Sequence, residues 1–231
     1  MNSEILISNP THFESVKNAI IAGGAKNLHI ISDFDRTLTS TKGYEKMSGS
    51  LISILRDKKY LTPDYPARAQ AYADHYKPIE YSNDIPLETK KGLMLEWWNK
   101  HLALLIECGL TKQHITDAMQ ESGVDLREGV LELLQLLHAK NIPIVIFSAN
   151  GLGYDSIAYF LQHRNCLFNN IHIVSNRFAW DEQGKACGII PPLIHSYNKD
   201  EHSLLSLDFY QELKHRKNVI LLGDSEGDLG M

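Results

Sequence analysis

A chain of 231 residues, 43% hydrophobic and 22% charged, is long and apolar enough for one sizeable core, or a core domain with a smaller insert, and excludes general disorder. A formal net charge of −5 without a run of basic residues speaks against a nucleic-acid partner, and no apolar stretch approaches membrane-span length. The opening "MNSEILISNPTHFESV" has no basic segment leading into an apolar one, and Cys108, Cys166 and Cys187 form no Cys-x-x-Cys pair, so a soluble cytoplasmic protein with free thiols is expected.

In chain order, "NPTHFESVKNAIIAGG" predicts a first helix, capped by Asn9 or Thr11, presenting Phe13, Val16 and Ile20 and stopped by Gly23-Gly24. "LHIISDFD" follows as a buried strand ending near Asp33. From about Leu51 to Ser122 the pattern is mostly helical, including "LETKKGLMLEWWNKHLALLIE", where Leu93, Trp97 and Leu104 can share a face. "REGVLELLQLLHAKN" predicts a helix with Leu131, Leu134 and Leu137 inward, running into the buried strand "IPIVIFSA". "NNIHIVSNRFAWDEQGKACGII" reads as two extended runs around Asp181–Gly184, a hairpin on the edge of the fold. "LLSLDFYQELKHRKN" predicts an amphipathic helix and "VILLGDSEGD" a third buried strand. Strands alternating with helices imply parallel βαβ units, an α/β fold.

In such a sheet the carboxyl ends of the strands gather on one edge, where ligands bind. Asp33 and Asp35, Ser148, and Asp224 close the three strongest strands. Positions i and i+2 of an extended segment share a side, so both aspartates can face the crevice while Phe34 packs away from it. Carboxylates held close raise each other's pKa unless a cation neutralises them, and oxygen ligands suit Mg²⁺. The bland alternative is that such acidic residues are turn formers and helix caps; three independent strand ends weigh against it.

"DFDRTLT", "VIFSAN", "YNKDE" and "ILLGDSEGD" resemble, in order and approximate spacing, the four motifs of the haloacid-dehalogenase-like phosphatases. More narrowly the chain resembles the cytosolic 5′-nucleotidase III family, the pyrimidine and 7-methylguanosine-phosphate-specific 5′-nucleotidases, with "PIEYSND" and "LEWWNKH" similar to that family's base-recognition segments. The resemblance implies a Rossmann-like parallel-sheet core at residues 1–45 and 123–231 with an inserted helical cap at 46–122. It also implies Mg²⁺-dependent hydrolysis of nucleoside 5′-monophosphates, CMP or UMP first and 7-methylguanosine monophosphate next.

By the same resemblance Asp33 is the nucleophile that forms an aspartyl-phosphate, and Asp35 the acid and then the base. Mg²⁺ would be held by Asp33, the Asp35 carbonyl and Asp224, with Asp228 supporting that shell. Ser148, the Ala149 N–H and Lys199 would bind the phosphate, near a helix starting around Asn150-Gly151. Glu80 would accept from an exocyclic amino group, and Trp98 would stack on the base with His101 beside it, where relatives often carry a small hydroxyl residue. Each has a plainer reading: Ser148 and Asp228 as helix caps, Lys199 as a solvated lysine, Trp97 and Trp98 as packing residues. Family members also continue beyond the fourth motif, so the third strand is expected to present an exposed edge and apolar flank.

The expected partner is a small-molecule nucleotide, with no nucleic acid or membrane, and the chain is expected to be a monomer. Rival readings are a phosphatase or phosphotransferase for another small phosphorylated metabolite, and a truncated, non-catalytic binding protein.

Overall fold

The computed structural model describes residues 5–40, 51–57, 60–200, 204 and 207–231. Its centre is a four-stranded sheet of β1 (Leu28–Ser32), β4 (Ile144–Ser148), β5 (Ile171–Ser175) and β8 (Asn218–Leu222), all parallel, in the order β5-β4-β1-β8. The register sets Ser32 beside both Ile146 and Leu222, and Ser148 beside Ser175, so the strand ends lie along one edge. β4 is buried at every position, which is why it reads as an unbroken apolar run. Its side chains still alternate: Ile30, Ile144 and Ile146 join one apolar cluster, while Ile31, Val145 and Phe147 join a second on the other face with Tyr210 and Leu213.

Helices α1 (Pro10–Gly23), α6 (Val130–Ala139), α7 (Gly153–His163) and α8 (Asp208–Leu213) accompany this sheet in sequence. Between the short strands β2 (Thr39–Ser40) and β3 (Asp125–Leu126) lie α2 (Leu51–Asp57), α3 (Tyr65–Tyr81), α4 (Leu87–Glu107) and α5 (Lys112–Glu121). β2 and β3 pair antiparallel, Thr39 opposite Leu126 and Ser40 opposite Asp125, so the helical segment leaves and rejoins the core through one ribbon. The expected boundary at 45/46 lies outside the described residues. Leu55, Leu102 and Leu105 of these helices belong to the same cluster as Phe34, Leu38 and Phe160.

Several expectations need correction. The run from Asn169 to Ile190 holds three strands, not two. β5 belongs to the main sheet, and only β6 (Arg177–Trp180) and β7 (Ala186–Ile190) form the hairpin, a separate two-stranded sheet. Asn176 alone separates β5 from β6, and its side chain bonds both N and O of Ile194, which redirects the chain within one residue. In α6 the inward residues are Val130, Leu134 and Leu137, while Leu131 is 37% exposed. α1 is capped by Asn9, as one of the two candidates, yet buries no residue. In α4, Leu104 is buried but Leu93 and Trp97 only partly; Lys90, Met94, His101 and Leu105, at helical spacing, are buried. β8 pairs with β1 alone among the described residues, and Val219 is 45% exposed. Cys108, Cys166 and Cys187 are free thiols.

Candidate active site

β1 ends at Ser32, whose hydroxyl donates to the Asp33 carbonyl (2.7 Å), while the Asp33 N–H donates to Leu222 O on β8 (2.9 Å). Phe34 is fully buried and meets Phe160 of α7 edge to face at 5.4 Å, so Asp33 and Asp35 are left on the other side of the segment. Thr37 donates to Asp33 Oδ2 at 3.3 Å. Lys199 Nζ lies between two carboxylates, 2.7 Å from Asp33 Oδ1 and 2.5 Å from Asp228 Oδ1. Asp228 Oδ2 in turn accepts from Asp224 N (3.1 Å), Ser225 N (3.1 Å) and Ser225 Oγ (3.0 Å), capping a short 3₁₀ turn at 226–230. Gly223 permits this fold-back, since a Cβ there would stand 2.5 Å from Asp228 Cβ.

One oxygen from each of Asp33, Asp224 and Asp228 falls within 4.8 Å of the others, a set of hard donors that fits a divalent cation such as Mg²⁺. The Asp35 carboxylate is not in that set. It accepts from Asn150 Nδ2 at 2.8 Å, and burial, then the charge of Asp33, pushes it up to about 7. Burial also raises Asp33, against the opposing pull of Lys199. Burial would raise Asp228 as well, but its bonds to Lys199 and Ser225 prevail and hold it low.

Ser148 is 1% exposed, and its Oγ accepts from Asn150 N at 3.2 Å, so it does shape the following turn as the plainer reading required; its hydroxyl proton remains to be donated. Asn150 Oδ1 accepts from Leu152 N at 2.8 Å, and α7 starts at Gly153, slightly later than expected. Asn150 is the residue that sequence reading missed. Its signal was its place as the last letter of "VIFSAN", directly after Ser148 and Ala149.

Next to this loop a cavity of about 190 Å³ is lined by Ala149, Asn150 and Gly151 on the core side and by Arg56, Lys77, Trp97, Trp98 and His101 on the helical side. Trp97 stacks between Tyr76 (5.5 Å) and Trp98 (6.1 Å), and Trp98 meets His101 at 6.1 Å. A Cβ on Gly151 would lie 2.3 Å from Ile52 Cδ1 and 3.0 Å from Trp98, so only glycine lets the loop approach so closely. His101, whose Nε2 lies 3.4 Å from the Tyr65 hydroxyl, is pushed down to about 4 by burial and by Arg56, and is neutral at pH 7. Glu80 does not line this cavity, because its carboxylate accepts from Ser196 Oγ and its carbonyl from Tyr197 OH.

The structure therefore brings Asp33, Asp35, Ser148, Ala149, Lys199, Asp224 and Asp228 to one sheet edge, with Trp98 and His101 in the adjoining cavity. A family profile described as "Pyrimidine 5'-nucleotidase (UMPH-1)" matches residues 36–231. The chain belongs to this family. It is 36% identical over 231 residues to the 7-methylguanosine phosphate-specific 5'-nucleotidase of Homo sapiens, covering 100% of this chain and 76% of that one. It is 33% identical over 232 residues to the putative cytosolic 5'-nucleotidase 3 of Caenorhabditis elegans, covering 99% and 61%. Among solved structures, cytosolic 5'-nucleotidase IIIB bound to cytidine superposes with a TM-score of 0.79 at 28% identity, covering 96% and 74%. A phosphoserine phosphatase solved as a phospho-aspartyl intermediate analogue (TM-score 0.52, 17% identity, covering 88% and 80%) shares the α/β fold. As a member of the pyrimidine 5'-nucleotidase family the chain is a hydrolase of the 5'-nucleotidase class. Among its described residues no helix is long and apolar enough to cross a membrane.

Proposed function

We propose that this protein hydrolyses nucleoside 5′-monophosphates with uncharged pyrimidine bases, CMP and UMP, in two displacements at Asp33. The observation that carries this reading is the pair Asp33 and Asp35, one carboxylate held by Lys199 and the other by Asn150, beside an aromatic cavity. An Asp33 carboxylate oxygen attacks phosphorus as the bond to the nucleoside 5′-oxygen breaks, and Asp35 gives its proton to that leaving oxygen. Water then attacks the aspartyl-phosphate, Asp35 takes the water's proton, and the phosphorus–Asp33 bond breaks to release phosphate. A group raised to about 7 is suited to both roles near neutral pH, and Asn150 on Oδ2 leaves Oδ1 to carry the proton.

Lys199, the Ser148 hydroxyl and the Ala149 N–H hold the phosphoryl oxygens as charge shifts among them. Asp33, Asp224 and Asp228, with the Asp35 carbonyl, would hold Mg²⁺, which when bound supplies positive charge that screens the approach of one anion to another. Residues 46–122 act as the cap, and Trp98 stacks on the base for about 1–3 kcal/mol. The cation Lys77 lines the same cavity as the tryptophans, and His101 there is neutral. The charge of Lys77 opposes a base with a fixed positive charge, such as 7-methylguanine, and so favours the pyrimidines.

The test is phosphate release from CMP, UMP and 7-methylguanosine monophosphate, with Mg²⁺ or with chelator, for the parent and Asp33→Asn. Metal-dependent release from CMP and UMP that Asp33→Asn abolishes is expected. A folded protein that releases no phosphate, or an Asp33→Asn variant as active as the parent, would overturn the reading.

A further inference from the structure

Lys199 sits on the irregular stretch 191–200 that follows β7, and such a stretch is held only by what its backbone and side chains bond to. On the core side Ile194 is bonded at both N and O by Asn176, at 2.8 and 3.0 Å. Within the loop, Asn198 accepts from His195 N (2.7 Å) and donates to Leu193 O (2.8 Å). On the other side the loop reaches the helical segment. The Tyr197 hydroxyl donates to the Glu80 carbonyl at 2.5 Å, and Ser196 Oγ donates to the Glu80 carboxylate. Lys90 joins the same point: its Nζ is 3.2 Å from Glu80 O, 3.5 Å from the Tyr197 hydroxyl, and 5.3 Å from the Tyr197 ring centre.

Lys90 is 8% exposed although it carries a charge, so its ammonium depends on these acceptors. Glu80 closes α3 and Lys90 stands in the first turn of α4, so the Tyr197 hydroxyl touches both helices where they meet, two residues from Lys199.

We infer that Tyr197 and Lys90 are positioning residues that clasp the helical segment to the loop bearing Lys199, so that the seat of the cap and the placement of the Lys199 ammonium between Asp33 and Asp228 are set together. The inference rests on the assignment of Lys199 to the phosphoryl site. It adds a link between the part that reads the base and the part that does the chemistry. The phenol is well suited to the link because it donates to one helix's carbonyl while accepting from the other helix's ammonium.

The experiment is hydrogen exchange on the whole chain, parent against Tyr197→Phe and Lys90→Met, together with kcat and KM for CMP. With the clasp lost, amides at 79–82 and at 193–200 should both exchange about tenfold faster, those of β1 staying unchanged. kcat should fall as the Lys199 ammonium loses its placement and KM for CMP should rise as the cap loses its seat, and Lys90→Arg should restore most of what Lys90→Met loses. Faster exchange on one side only, no change on either, or an equal rise in β1 would each overturn the coupling. These outcomes are separate from that of the phosphate-release test: the paired exchange change without CMP hydrolysis would remove the proposed substrate and leave the clasp standing.

Discussion

Lys199→Met tests the charge arrangement at its centre. Methionine keeps the length and apolar stem of lysine and removes only the ammonium, so the effect isolates charge from packing. The Lys199, Asp33 and Asp228 side chains are 5%, 9% and 5% exposed, so solvent offers little relief to the carboxylates left behind. Breaking a buried pair by removing one partner typically costs about 3–5 kcal/mol. Here one cation serves two anions, and the upper half of that range is expected in urea unfolding at pH 7 with chelator present. Asp33 and Asp228 also belong to the carboxylate group that fits a divalent ion, so Mg²⁺ should restore part of the loss. At a hundred times its dissociation constant a ligand of the folded state adds about 2.7 kcal/mol, and Mg²⁺ should stabilise Lys199→Met more than the parent, in which the ammonium already balances the site. Phosphate release from CMP should fall about 10²–10³-fold, as for loss of one preorganised transition-state donor. If Lys199→Met unfolds at the parent's urea midpoint with chelator present, or gains no more from Mg²⁺ than the parent, the ammonium is not what balances these carboxylates.

Asn150→Ala should lower kcat for CMP about ten- to hundredfold with KM little changed, the value of one hydrogen bond to a charged group; an unchanged kcat would show that Asp35 needs no such hold. His101 has a folded pKa of about 4 against 6.5 for the free side chain, so the unfolded chain binds its proton first as pH falls. Its contribution is therefore destabilising between pH 6.5 and 4, reaching roughly 3 kcal/mol at the acid end. His101→Gln should flatten the urea stability profile across that window, and identical profiles would refute the burial argument. Lys77→Glu should raise kcat/KM for 7-methylguanosine monophosphate relative to CMP by about tenfold, and a ratio that does not move would show that the cavity's charge does not select the base.

Much of this arrangement was legible because buried parallel strands announce themselves as apolar runs, and their polar ends fall on one edge by topology alone. Asp33, Asp35, Ser148 and Asp224 are such strand ends. Lys199 is not: it lies in irregular backbone, and only likeness to a family singled it out. Helical periodicity located α1 and α6 but could not decide how much of each face is covered: Leu131, and Phe13, Val16 and Ile21 of α1, are exposed. The hairpin was misread because a single residue, Asn176, divides two strands, and a one-residue break leaves no turn signal of the usual composition. Asn150 and Tyr197 act through side-chain bonds to residues 115 and 117 positions away, a separation no local pattern records.

The spacing of two aspartates around one phenylalanine has a physical basis in the packing behind it. An i, i+2 pair points together only if the residue between them is firmly sunk on the other side, and Phe34 is fully buried against Phe160. Phe160 belongs to α7, and the turn that leads into α7 carries Asn150, which holds Asp35. One helix therefore fixes the pair from both sides, with its body through the phenylalanine and its approach through the acid. Leu102 and Leu105 of the helical segment join the same apolar cluster as Phe34, so the segment that lines the aromatic cavity packs on the residue between the two carboxylates. A change of packing between the helical segment and the sheet would reach the carboxylates and the cavity at once, and the same segment is bonded to the Lys199 loop as well as packed against the core.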